Sequence, residues 1–137
     1  MAAILAVAAF LSWPEPVNTA RERPYRDYDV CLLTGELGLA TSSAQKAWSA
    51  LGAVSKKAEV RAFYLEVRGE QTPEHASQYV STLVAQRCRI LVTTGGKEAV
   101  GATLAKSRYP SVFFIDAGAD VDPAALEAQI LPLIPPA

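Results

Sequence analysis

Two short polar stretches in this chain each end an apolar run and open a helix-like pattern. One is Thr34 and Gly35 with the loop that follows, after Val30, Cys31, Leu32 and Leu33. The other is Thr93, Thr94, Gly95, Gly96 and Lys97, after Ile90, Leu91 and Val92. Hydroxyls and free backbone N–H groups at a helix start suit a polar or anionic ligand. Gly95 and Gly96 could equally serve only as a tight turn. Glu36, Glu66 and Asp116 also fall near the ends of apolar runs. Carboxylates there could accept hydrogen bonds from a polyol or an amine, or could simply be solvated, the better reading for Glu36.

Several chemistries are excluded by spacing. A phosphate-binding P-loop needs an earlier glycine where Leu91 stands and a hydroxyl where Glu98 follows Lys97. The dinucleotide pattern of three glycines is absent, because Gly35 and Gly38 are wrongly spaced. A phosphoacceptor receiver wants carboxylates where this chain has Thr34, Gly35, Thr93 and Thr94. No Gly-x-Ser-x-Gly elbow exists. His75 is the single histidine and opens a helix on a different loop, so metal binding and histidine-based catalysis find no partners. No cofactor is expected, and no enzyme. The net charge is −1 with scattered Lys and Arg, which gives no footprint for nucleic acid.

The elements that must position these loops alternate along the chain. The 137 residues suffice for one domain with a real core. Strands are expected at 28–34, 60–67, 89–94 and 111–116. Helical spacing runs from Ala44 through Ala47, Trp48, Leu51 and Val54, with Ser42 or Ser43 as N-cap. Thr72 and Pro73 mark a second helix start. Gly95 and Gly96 open a third, with Ala99, Val100, Thr103 and Leu104 expected inward. Asp122 and Pro123 start a fourth, with Leu126 and Ile130 on one face. Four strand–helix alternations predict an α/β three-layer sandwich with a parallel sheet in the order 2-1-3-4, a flavodoxin-like half. The weak alternation of the second strand suggests burial on both faces. Ligands in such sheets bind beyond the strand C-termini where the order reverses. That point lies between strands one and three, at Thr34, Gly35, Thr94 and Gly95. The fourth strand would be an apolar edge, an association hazard.

Before the domain (28–137) come an apolar segment (1–13) and a proline- and charge-rich linker (14–27). The apolar run is shorter than the roughly 20 residues of a membrane span. It could be the end of a longer membrane segment, a degenerate signal or anchor, or an apolar start of a cytosolic chain; its Ala-rich run beside Trp13 favours membrane association. Cys31 and Cys88 form no C-x-x-C pair. They read either as two buried thiols or, in an exported chain, as one disulfide.

From residue 28 to 118 the order of pieces resembles the amino-terminal lobe of a type 1 periplasmic binding protein. More narrowly it resembles the basic membrane protein family, the substrate-binding lipoproteins of ABC transporters that often bind nucleosides. The carriers are DVCLLTGELGLATSSAQKAWSAL, EQTPEHASQYVSTLVAQRCRILVTTGG and YPSVFFIDAG. By position Ser42, Gln45 and Trp48 match the family's first motif, Gly95 the second and Asp116 the third. Ser43 and Ala44 replace its Phe-Asn, and Gly96 replaces a Phe, so the residues that would grip a nucleoside are missing. The resemblance implies an extracytoplasmic, membrane-associated lobe that binds or senses a small polar solute. Ligand contacts would then come from Thr34, Gly35, Ser42, Gln45, Thr94, Gly95 and Asp116. The implied partners are that solute, a membrane anchor, and a second copy or an ABC permease. It also implies export, and with it a Cys31–Cys88 bridge between neighbouring strands. The alternatives are an interaction or dimerisation module, or a truncated product without binding of its own.

Overall fold

The computed structural model describes residues 25–136, so the apolar segment and most of the expected linker lie outside the described residues. The elements are β1 (Arg26–Thr34), α1 (Ser42–Ala58), β2 (Val60–Glu66), α2 (Pro73–Ala85), β3 (Cys88–Thr93), α3 (Gly96–Ala105), β4 (Phe113–Asp116) and α4 (Pro123–Ile130). All strand pairs are parallel, and the sheet runs β2-β1-β3-β4. The α/β class and the strand order are those expected. β1 begins at Arg26, inside the expected linker, because Arg26 N–H donates to the Glu59 carbonyl and pairs with Val60.

β1 is buried from Asp29 to Thr34, and its alternation divides the core. Val30 and Leu32 point to one face, where Ala47, Leu51 and Val54 of α1 meet Leu126 and Ile130 of α4. Cys31 and Leu33 point to the other, against Ala76, Val80 and Leu83 of α2 and Ala102 and Ala105 of α3. Helices thus cover both faces. Each large apolar side chain so enclosed contributes about 1.5–3 kcal/mol relative to exposure. Cys31 and Cys88 are joined by a disulfide with Cα atoms 5.9 Å apart, fully inside the α2–α3 half of the core.

Local signals explain most element starts. Thr72 Oγ1 accepts the His75 N–H at 3.2 Å, with Pro73 at the first helical position. Asp122 Oδ1 accepts the Ala124 N–H at 3.1 Å before Pro123. For α1 the cap is Thr41, whose Oγ1 accepts the Ala44 N–H at 3.2 Å, and not Ser42 or Ser43. The helix already starts at Ser42, so the cap falls one residue earlier.

Two expectations about faces are corrected. α3 buries Gly101, Ala102 and Ala105, while Val100 and Leu104 are each 51% exposed. The cause is close approach to α2: a Cβ on Gly101 would stand 2.7 Å from both Ala76 Cβ and the Pro73 carbonyl oxygen. The contact face is therefore the smallest one, and the bulkier residues turn outward. β2 is not buried on both faces. It is an edge strand with only Val60 enclosed, Arg61 and Tyr64 exposed and Ala62, Phe63, Leu65 and Glu66 half-buried.

Arg61 of that edge strand clasps Asp29, which is 1% exposed, through Nε–Oδ1 at 3.1 Å and Nη2–Oδ2 at 2.8 Å. The hydrogen bond and the charge of Asp29 raise the Arg61 pKa above its ordinary value. The last residues fold back on β1, with the Arg26 guanidinium donating to the Pro135 carbonyl and the Tyr28 hydroxyl to that of Leu133. Lys57 and Glu127 form an ion pair between α1 and α4 at 2.5 Å. Among the described residues, no helix is long and apolar enough to cross a membrane.

Two outcomes follow from this core. The Cys31–Cys88 crosslink spans 57 residues of sequence, which in the chain-entropy picture is worth on the order of 4 kcal/mol. Oxidised, denatured protein should take up no alkylating agent until it is reduced, and the double Ala variant should lose about 2–5 kcal/mol in urea unfolding. Two alkylated thiols without reduction would show the bridge to be unmade. Gly101→Ala should lose about 1–3 kcal/mol from overpacking between α2 and α3, seen as an earlier urea midpoint.

Candidate functional site

The sheet order reverses between β1 and β3, and a cleft opens there beyond the strand C-termini. It has a volume of about 200 Å³. Its walls are the loop after β1, the first turn of α1 and the turn into α3. Thr34, Gly35, Thr94 and Gly95 line it together, with Glu36, Thr41, Ser43, Gly96 and Glu98 beside them.

Each wall has a local cause. Thr34 ends β1 buried, and its Oγ1 donates to the Gly35 carbonyl at 3.1 Å. That hydroxyl is therefore turned into the fold. Gly95 and Gly96 have φ of +79° and +73°, so the turn from β3 into α3 runs through backbone that favours glycine. Asp116, at the end of β4, holds this turn from the side. Its Oδ1 accepts the Gly95 N–H at 2.8 Å and the Gly118 N–H at 3.0 Å, with the Thr93 hydroxyl at 3.4 Å. One carboxylate thus organises the loops after β3 and β4.

The electrostatics of the cleft are set by Glu98. A Cβ on Gly35 would lie 3.1 Å from Glu98 Oε1, and one on Gly96 would lie 3.0 Å from Oε2. The Glu98 carboxylate therefore bridges the gap between the two loops, in the first turn of α3. It faces the positive end of that helix, where an external anion would otherwise be favoured. Glu36 adds a second, exposed carboxylate, and among the described lining residues none is cationic. The cleft suits hydrogen-bond donors and amines better than phosphates or carboxylates.

The seven expected contact residues divide. The cleft brings together Thr34, Gly35, Thr94 and Gly95, but not Ser42, Gln45 or Asp116. Ser42 and Gln45 are exposed on the first turn of α1, whose cleft side carries Thr41, Ser43 and Ala44. Asp116 supports the wall from behind. Trp48 packs edge-to-face on Tyr64, ring centroids 5.3 Å apart, and fixes α1 to β2. Glu98 carries no sequence signal as a cleft residue, since a carboxylate after Lys97 reads as an ordinary first helical turn. Its place is open to it because Gly35 and Gly96 carry no side chains there.

A larger depression of about 740 Å³ lies at the other end of the sheet, lined by Tyr25, Asp29, Ser55, Arg61, Phe63 and Arg87 among others. Its charged groups are already paired, Arg61 with Asp29 and Arg87 with Asp27. Tyr25, Ser55 and Gln86 add polar side chains there, but the depression lies away from the switch point where such sheets take their ligands, so the smaller cleft is the better candidate despite its size. No group of His, Cys, Asp and Glu among the described residues is arranged to hold a metal ion.

No protein-family model matches the chain, and no curated protein does. Solved structures do share the fold. One, from Peptoclostridium difficile 630, carries the name "putative lipoprotein (fragment)"; it is 14% identical, with a TM-score of 0.58, over 77% of this chain and 94% of that one. Another, a transcriptional activator of the comK gene from Bacillus halodurans, is 21% identical with a TM-score of 0.52. That match covers 68% of this chain and 31% of the other, so this chain matches about a third of that protein's length. At these identities the likeness is one of fold.

Replacing Asp116 by Ala should release the Gly95 and Gly118 amides together. Amide hydrogen exchange should quicken at both positions, with a stability loss of about 1–2 kcal/mol. Faster exchange at only one of them would show that the loops are held separately.

Proposed function

We propose that this chain is a non-catalytic, extracytoplasmic lobe of the basic membrane protein type that binds or senses a small, neutral or cationic polar solute. The observation that carries the reading is the cleft at the sheet's switch point, where Thr34, Gly35, Thr94 and Gly95 converge around the Glu98 carboxylate. Such switch points are where open parallel sheets take their ligands. The buried disulfide favours an oxidising compartment. The fold shared with a protein named as a lipoprotein supports a surface location.

The size of the cleft limits the ligand. About 200 Å³ is below the 300–1,000 Å³ usual for drug-sized ligands. A polyol, a small amine or an amino alcohol fits the volume and the charge. A nucleoside would have its base outside, without the aromatic platform that its family resemblance would call for. One open face also buries little ligand surface, so affinity should be modest.

The test is a thermal-shift screen of the full chain in mild detergent, with polyols, amines, amino acids, nucleosides and inorganic phosphate. A ligand at a hundredfold excess over its Kd should add about 2.7 kcal/mol of stability. Polyols or amines should shift the melting temperature, and phosphate should not. Gly35→Val, which crowds the Glu98 carboxylate, should abolish the shift. A phosphate-only response, or none from any class, would overturn the reading.

A further inference from the structure

The two edges of the sheet are built differently, and the difference points to a partner. β2 is guarded: Arg61 is exposed on it and clasped to Asp29, and Glu66 ends it. Charges of this kind discourage edge-to-edge pairing. β4 has no such guard. It reads Phe113, Phe114, Ile115 and only then Asp116, and Phe113 is 45% exposed. Its ladder is made to β3, and among the described residues no strand pairs with its outer side.

The described helices do not cover that edge either. α2 and α3 lie on one face, and a further strand beyond β4 would be reached by a right-handed crossover over that same face. α4 instead packs against α1 on the opposite face. The α2–α3 layer therefore ends at α3, and a hollow of about 210 Å³ is left beside β4, lined by Ala99, Thr103, Lys106 and Phe114 among others.

We infer that a second copy of this chain adds its β4 antiparallel to this one, about a two-fold axis perpendicular to the sheet. The charges around β4 select that occupant and that direction. The short 3₁₀ turn Lys106–Arg108 precedes the strand with two exposed cations. Asp116, Asp120 and Asp122, all exposed, follow its other end. A two-fold antiparallel copy sets each basic end against the partner's acidic end, whereas a parallel copy would set like against like. With the axis at Phe114, the two Phe114 rings meet on the α3 side, next to the hollow, because antiparallel partners directly opposite share a face. Phe113 then lies opposite Ile115 of the second copy on the other face. The result is one eight-stranded sheet, with both switch-point clefts clear of the contact. The inference does not depend on what those clefts bind.

The full chain in mild detergent tests it by multi-angle light scattering, with the detergent contribution subtracted. The protein mass should be twice the 14.6 kDa of the chain. Phe113→Lys, on an exposed position, should return it to a monomer with an unchanged circular dichroism spectrum. Phe113→Cys should give a linked dimer with a short bis-maleimide, whereas Ser49→Cys, exposed on α1, should not. A monomeric wild type would overturn the proposal. So would a dimer that Phe113→Lys leaves intact and Phe113→Cys fails to link, since the contact would then lie elsewhere.

Discussion

Everything in this domain depends on β1 being held on both sides and both faces at once. It pairs with β2 and β3, and its six last residues are closed to solvent. The disulfide adds a covalent tie between the same two central strands whose divergence makes the cleft. Pairing and crosslink together fix where Thr34 and Thr93 end relative to one another, register partners being Leu33 and Thr93. The loops beyond them can be glycine-rich and polar because the strands beneath them cannot slide.

The cleft is then built by negative means as much as positive ones. Gly35 and Gly96 leave the space that the Glu98 carboxylate fills. Asp116 spends its hydrogen-bonding capacity on backbone amides and so acts as scaffold. The cleft lining that remains includes the Ser43 and Thr94 hydroxyls and the carboxylates of Glu36 and Glu98.

Much of the fold was legible in the sequence, and the limits of that legibility are physical. The strand order followed from four strand–helix alternations and the handedness of crossovers. Thr72 with Pro73 announced α2 because capping is a local interaction. The orientation of α3 was not legible, because Val100 and Leu104 outweigh Gly101, Ala102 and Ala105 in hydropathy, yet the small face wins through close packing on Ala76. The half of the site that comes from strand ends was readable from Thr34, Gly35, Thr94 and Gly95. Ser42 and Gln45 came from a family motif, and a motif fixes spacing along a helix but not which side of its first turn meets the cleft. Glu98 was invisible, since its position depends on two glycines 61 residues apart in sequence.

The clasp between Arg61 and Asp29 has a consequence for growth. A sheet with two receptive edges can add copies without end and becomes a fibre. Here one border carries an exposed arginine bonded inward to Asp29, and the other is apolar. A pair joined at β4 would present only its charged borders to a further strand, and charge there disfavours the next addition. The arginine that tidies one border thereby also weighs against this sheet growing beyond a pair.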